Sequence, residues 1–375
     1  MQDVSLPWSR VVLLGRRRRG LCLFVGNMDS CVEVHIMNLQ HKKILVTGAS
    51  GFIGSFIVER ALELGAEVWA AMRASSSKAY LQDERIRFIE LHLNDRARLE
   101  AQLREFSAAH GAWDYVVHAA GLTKCQNPAD FYRVNAEGTM HLAQALLATS
   151  TLRQRFVFLS SLSVWGAVHE DDYADISERD IPHPNTDYGK SKLEAECLLA
   201  QVEGLDYVVL RPTGVYGPRE KDYFLMAKSI CGHVDFAVGY KRQDITFIYV
   251  RDLVEATLLA LERGTKGRGY FLTDGQVYSS SDFSRLLQQE LGVKFVLPIT
   301  APIWVLRVVC TVGGWVARLT GKPSALNMDK FNILRQRNWR CDIQPAIEDL
   351  GYKPCYSLAD GVSETVKWYK QQGWI

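Results

Sequence analysis

The sequence predicts a doubly wound α/β fold: a parallel sheet wrapped by helices, with a smaller C-terminal lobe. Three observations carry this. An apolar run, Ile44-Leu45-Val46-Thr47, breaks into Gly48-Ala49-Ser50-Gly51-Phe52-Ile53-Gly54 and opens a helical pattern over 52–64. Strand-like runs near 67–72, 86–91, 114–119, 155–160 and 206–210 then alternate with helical ones near 95–107, 131–148 and 188–203, the pattern of a parallel sheet. Past Arg211 the alternation loosens into turns at Gly214, Gly217 and Pro218, followed by shorter elements.

The chain opens on a segment foreign to this pattern. Arg16-Arg17-Arg18-Arg19 precedes Leu21-Cys22-Leu23-Phe24-Val25, an apolar core shorter than the roughly 7–15 residues of a signal-peptide h-region. Residues 1–36 are read as a leader outside the fold, with Met37 as an alternative start. Composition gives no other departure: 47% hydrophobic and 23% charged residues suit a globular enzyme. Net charge is +2, and the leader's five arginines against three acids supply all of it. The remaining chain is neutral, which removes the electrostatic case for nucleic acid. Eight cysteines stand without Cys-x-x-Cys or His pairs at ligand spacing, so neither a metal site nor a disulfide framework is expected, and reduced thiols suit the cytoplasm.

The glycine turn reads as a place for a diphosphate. Gly48 permits a sharp turn, Gly51 lets backbone N–H groups approach an anion, and Gly54 lets helix and strand pack closely. The helix N-terminus, with Ser50, Phe52 and Ile53 around it, then faces the negative charge. The second strand ends in Met72-Arg73-Ala74-Ser75-Ser76-Ser77-Lys78. An acid there would bond a ribose 2′-hydroxyl, whereas a basic residue accommodates a 2′-phosphate. Arg73 and Ser75 therefore indicate NADP(H), with NAD(H) as the alternative. Asp95 is expected to cap the helix that follows.

Downstream, Tyr188-Gly189-Lys190-Ser191-Lys192 sets a phenol and an ammonium four residues apart on one helix face. A neighbouring cation favours the phenolate, which could exchange a proton with a substrate oxygen. The buried-type strand Phe156-Val157-Phe158-Leu159 ends in Ser160-Ser161, hydroxyls able to donate to a developing alkoxide. In the C-terminal half a strand is expected near 245–248 and helices over 252–262 and near 281–291. Residues 299–319 form an apolar run interrupted by Arg307, two glycines and Arg318, too broken for a spanning helix. It reads first as a helix lining an apolar pocket and second as a membrane-surface contact. The chain is expected to close with a terminal helix.

Six blocks now stand in order: Thr47 to Gly54, His118-Ala119-Ala120-Gly121, Asn135 to Thr139, Ser160 to Gly166, Tyr188 to Lys192, and Arg211 to Pro218. Together they resemble the extended short-chain dehydrogenases/reductases, the NAD-dependent epimerase/dehydratase superfamily, over roughly 42–372. That family includes nucleotide-sugar epimerases, dihydroflavonol reductases and hydroxysteroid dehydrogenases. The resemblance implies a Rossmann-type cofactor domain over 37–211 and a substrate lobe over 212–375, with some lobe segments returning to the sheet. By the same resemblance Ser161 polarises a carbonyl, Tyr188 is the acid/base, and Lys192 holds the ribose and lowers the phenol's pKa. Ala119, Ala120, Gly121 and Pro212 join the cofactor site, while Thr123, Ser161, Thr213 and Gly214 face the substrate. A homodimer through the helices near 95–107 and 131–148 is also implied.

Nucleotide-sugar members usually hold the diphosphate with an Asn and an Arg at positions that here are Gly214 and Ile245. The expectation is therefore hydride transfer between a ketone and a secondary alcohol on a bulky, weakly polar small molecule, as in the dihydroflavonol-reductase and 3β-hydroxysteroid-dehydrogenase branches. Two alternatives stand beside it: a nucleotide-sugar epimerase, dehydratase or reductase anchored through Arg219, Lys221 and Arg242, and a non-catalytic NADP(H)-binding sensor or scaffold.

Overall fold

The computed structural model describes residues 13–17, 20–23, 38–320 and 327–375. Within residues 1–36 these are an antiparallel pair of strands, Leu13–Arg17 with Gly20–Leu23; the remaining readings for residues 1–36 lie outside the described residues.

The first half alternates as its sequence predicts: β1 (Lys43–Thr47), α1 (Phe52–Glu63), β2 (Glu67–Ala71), β3 (Arg87–Ile89), α2 (Arg96–His110) and β4 (Trp113–His118). A helical turn at Pro128–Phe131 and a π-helical run at Tyr132–Glu137 lead into α3 (Gly138–Ala148). β5 (Leu152–Leu159), α4 (Asp187–Ala200) and β6 (Tyr207–Pro212) complete the half. The lobe adds β7 (Gly214–Tyr216), α5 (Asp222–Cys231), β8 (Val234–Val238), β9 (Phe247–Tyr249), α6 (Val250–Glu262), β10 (Gly269–Leu272), α7 (Asp282–Leu291), β11 (Leu297–Ala301), α8 (Ile303–Thr320), α9 (Met328–Arg335) and α10 (Leu358–Gln371).

Seven strands form one parallel sheet in the order β10-β6-β5-β4-β1-β2-β3. Its central strands are apolar on both faces because helices cover both. Ile44, Val46, Val68 and Val117 point into one core layer, and Leu45, Trp69, Val116 and Phe156 into the other. Chain order runs one way from β1 through β2 to β3 and the other way from β4 through β5 to β6. The sheet therefore has its switch point between β1 and β4, where ligands bind beyond the carboxyl ends of strands in such sheets. The lobe is not separate: β10 returns to pair with β6, and α6 packs beside α1 on the sheet.

The apolar run is a helix, α8, as its sequence predicts, and no residue of it lines the cleft described below. Among the described residues it buries a narrow stripe, Leu306 and Cys310, against Val238, Phe331 and Leu334. Trp304, Val308, Val312, Trp315 and Leu319 face solvent. A helix resting on one short helix and a two-stranded ribbon has too few neighbours to cover its other side.

Candidate active site

The turn after β1 closes against the end of β4. Gly48 has φ of 67°, and a Cβ there would meet the backbone of Ala119 and Ala120 at 2.7 Å. A Cβ on Gly54 would lie 2.2 Å from the Gly48 carbonyl, so helix and turn touch through bare backbone. Thr47 Oγ1 shares a 2.7 Å hydrogen bond with His118 Nδ1 and accepts one from Ala120 N, fixing the two strand ends side by side. The His118 ring is fully buried and held neutral, its pKa pushed down to about 3 by desolvation and then by Lys192.

A cleft of about 610 Å³ opens at this switch point. Of the residues expected for the cofactor, Gly48, Ser50, Gly51, Arg73, Ala119, Ala120 and Gly121 line it. Phe52, Ile53 and Gly54 lie just behind, inside α1. Ser75 sits exposed on the turn after β2 and does not line the cleft; Ser76, brought round by a hydrogen bond from its N–H to the Arg73 carbonyl, takes that place. Pro212 is buried at the end of β6, paired with Leu272. Glu90, His92, Arg98 and Arg133 also line the cleft. Glu90 was not singled out in the sequence, and it comes there only because β3 ends beside the Arg73 turn. Asp95 caps α2 through Arg98 N, as expected. Tight glycine backbone, a helix N-terminus and Arg73 at the far end fit a dinucleotide whose diphosphate rests on the Gly48–Gly51 turn.

The second cluster sits on α4. Thr186 caps the helix, its Oγ1 accepting from Gly189 N at 2.9 Å. Gly189 has a role that its sequence context hides. A Cβ there would stand 2.4 Å from the Ser163 carbonyl, so only glycine lets α4 lie against the 3₁₀ turn Leu162–Val164. That approach brings the Tyr188 phenol close enough to Ser161 for the two to interact, while the Ser161 hydroxyl donates to Ser163 Oγ at 3.1 Å. Ser160 is turned the other way, donating to Glu196, which in turn pairs with Arg211 at 2.7 Å. The hydroxyl facing the phenol is therefore that of Ser161.

Burial pushes the Tyr188 phenol up to about 12, with the nearby Ser161 hydroxyl pulling the other way. Lys192 is only 4% exposed, and burial pushes its ammonium down to about 8, against the charge of Glu196. Its Nζ donates to the Leu159 carbonyl at 2.8 Å and lies over the Phe158 ring. A Cβ on Gly121 would come 3.2 Å from that Nζ, which sets the ammonium at the cleft's inner end. Burial therefore keeps the phenol protonated in this structure. Asn135, in the π-helical run, exchanges hydrogen bonds with the backbone of Leu122 and donates to Ser191 Oγ, tying the loop after β4 to α4.

Thr123 lies exposed on that same loop. Thr213 is committed through its hydroxyl to Thr246. Gly214 faces Tyr223: a Cβ would stand 2.5 Å from the Tyr223 Oη, so the phenol fills the space a side chain would take. Tyr223 itself is wedged against Phe247 and Phe283. Ile245 is bridged to Tyr278. Of the alternative anchors, Arg219 is bound to Ser55 and Glu59 and stacked over Phe56, and Arg242 pairs with Asp244.

Comparison with known proteins follows the same outline. UDP-glucose 4-epimerase of Vibrio cholerae is 28% identical over 88% of this chain and 96% of its own length. The 3β-hydroxysteroid dehydrogenase/Δ5→4-isomerase of Mycobacterium tuberculosis is 29% identical over 87% of this chain and 90% of its own. The crystal structure of UDP-glucose 4-epimerase with UDP-glucose from Thermotoga maritima superimposes with a TM-score of 0.69 at 25% identity, covering 88% of this chain and 99% of that one. The NAD dependent epimerase/dehydratase family pattern matches residues 44–272, and with the glycine turn, switch-point cleft and Tyr188–Lys192 helix in place, this chain belongs to that family of NAD(P)-dependent enzymes.

Proposed function

We propose that the protein is an NADP(H)-dependent oxidoreductase interconverting a ketone and a secondary alcohol on a bulky, weakly polar substrate, within the dihydroflavonol-reductase and 3β-hydroxysteroid-dehydrogenase branch. The observation that carries this is the occupied space at Gly214. Tyr223 closes the position from which a polar side chain would hold a sugar-nucleotide diphosphate, and Ile245 offers no cation at the second one. Similarity to a steroid dehydrogenase over nearly its whole length supports the same reading.

The site residues take these parts. When bound, the nicotinamide cofactor supplies or accepts hydride. Tyr188 gives its phenolic proton to the carbonyl oxygen in reduction and recovers it in oxidation, and a phenol held protonated by burial suits the first direction. Ser161 Oγ–H donates to the same oxygen as charge builds on it. Lys192, at the cleft's inner end, would hydrogen-bond the ribose, and Arg73 and Ser76 would receive a 2′-phosphate.

Calorimetry with NADPH and NADH tests the cofactor: NADPH binds more tightly, and Arg73→Ala narrows the gap by about tenfold. Preference for NADH would assign that end of the cleft to Glu90 instead. Tyr188→Phe is expected to lower turnover of a confirmed bulky ketone by at least about 100-fold with cofactor affinity kept; turnover near the wild-type rate would remove Tyr188 from the chemistry.

A second reading, a nucleotide-sugar epimerase or reductase, draws on the epimerase similarities. With Arg219 and Arg242 engaged elsewhere, Lys221 is the exposed cation left among its three named anchors. Saturable binding of UDP-glucose that is lost in Lys221→Ala would favour it.

A further inference from the structure

We propose that α8 docks the protein on the surface of an anionic lipid bilayer. Trp304, Val308, Val312, Trp315 and Leu319 recur at intervals of three and four residues, one line along the helix, and all face solvent. Trp304 is 70% exposed, Trp315 62% and Leu319 68%, on the side opposite buried Leu306 and Cys310. Exposing such a line to water is costly, and a patch of this kind marks an interaction surface.

Charge decides the occupant. From Leu291 to Met328 the sequence carries Lys294, Arg307, Arg318 and Lys322 and neither Asp nor Glu, in a chain whose 44 basic and 42 acidic residues otherwise nearly balance. Arg307 is exposed on α8 itself. A two-fold dimer through this face would set two such cationic segments against each other. Anionic headgroups neutralise them instead, while tryptophans suit the boundary between headgroup and acyl chain. Among the described residues no helix is long and apolar enough to cross a membrane, so α8 lies along the surface.

The test is flotation of the full chain with vesicles of phosphatidylcholine alone and of equimolar phosphatidylcholine and phosphatidylglycerol. The protein is expected to float with the anionic vesicles and to be released by salt. Trp304→Gln with Trp315→Gln, and separately Arg307→Glu, lower binding by at least about tenfold, with melting temperature and cofactor affinity unchanged. Failure to float, equal binding to both vesicles, or full binding by these variants would overturn the proposal. So would a dimer in sedimentation equilibrium that the double tryptophan variant dissolves, since that assigns the face to a second copy.

Discussion

Lys192 keeps its ammonium where water hardly reaches, and the protein bears the cost until a ligand arrives. Its pKa falls from the ordinary 10.5 to about 8 in the folded state. Between those values the unfolded chain holds the extra proton, so folding stability rises with pH across that window. Below pH 8 both states hold the proton and the full burial cost applies. Lys192→Met lacks this dependence. Denaturation of cofactor-free protein should show wild type gaining about 3 kcal/mol on the variant from pH 8 to 10.5; parallel curves would contradict it. Tyr188 and Lys192 were legible in the sequence because four-residue spacing is a local rule. Resemblance chose Ser161 over Ser160, but the residues alone could not, because the difference is Glu196 and Arg211 lying behind one hydroxyl and not the other. Gly189 was equally hidden: its requirement comes from the Ser163 carbonyl, a contact across two segments.

Elements reach the site through their ends. α9 carries Asp329, whose carboxylate accepts from Asp187 N at 3.0 Å and Tyr188 N at 3.3 Å, and Asn332, which donates to the Asn185 carbonyl at 2.7 Å. A lobe helix thus caps the start of α4, 142 residues earlier in the chain. The half-buried Asp329 carboxyl is pushed above its ordinary pKa by desolvation, with those backbone bonds opposing. Asp329→Ala should lower kcat about tenfold through loss of the cap and drift of Tyr188, with cofactor affinity held within about twofold, and Asp329→Asn should recover part of it. An equal loss in cofactor affinity would mean general loosening instead. The sequence could not announce this cap, since only tertiary folding brings α9 there. It also read 131–148 as one plain helix. The π-helical run Tyr132–Glu137, which turns Asn135 toward Leu122 and Ser191, leaves the apolar pattern nearly unchanged. For α8, periodicity predicted the helix correctly but could not say how much of it has a neighbour.

At the scale of the whole molecule, the sheet, its switch point and the diphosphate turn were readable because strand–helix alternation leaves few arrangements. The lobe was less so: its β8–β11 ribbon pairs segments some sixty residues apart, and neither strand has an apolar run strong enough to announce it. Two cations, Lys124 from the loop after β4 and Lys330 from α9, meet on Asp222 of α5, fastening lobe to cofactor half. The division expected at residue 211 consequently falls inside one packed unit rather than at a boundary in the fold. A chain ending at 211 is expected to aggregate rather than melt cooperatively, as size-exclusion chromatography and calorimetry would show, because β6 would be left as a bare edge.

The late return of β10 also sets a timetable for biosynthesis. Six strands of the sheet leave the ribosome by residue 212, but the seventh, Gly269–Leu272, follows only after most of the lobe has been made. At about 5–20 residues per second, the nascent chain spends seconds with its β6 edge unpaired, in the interval when ribosome-associated chaperones would find it.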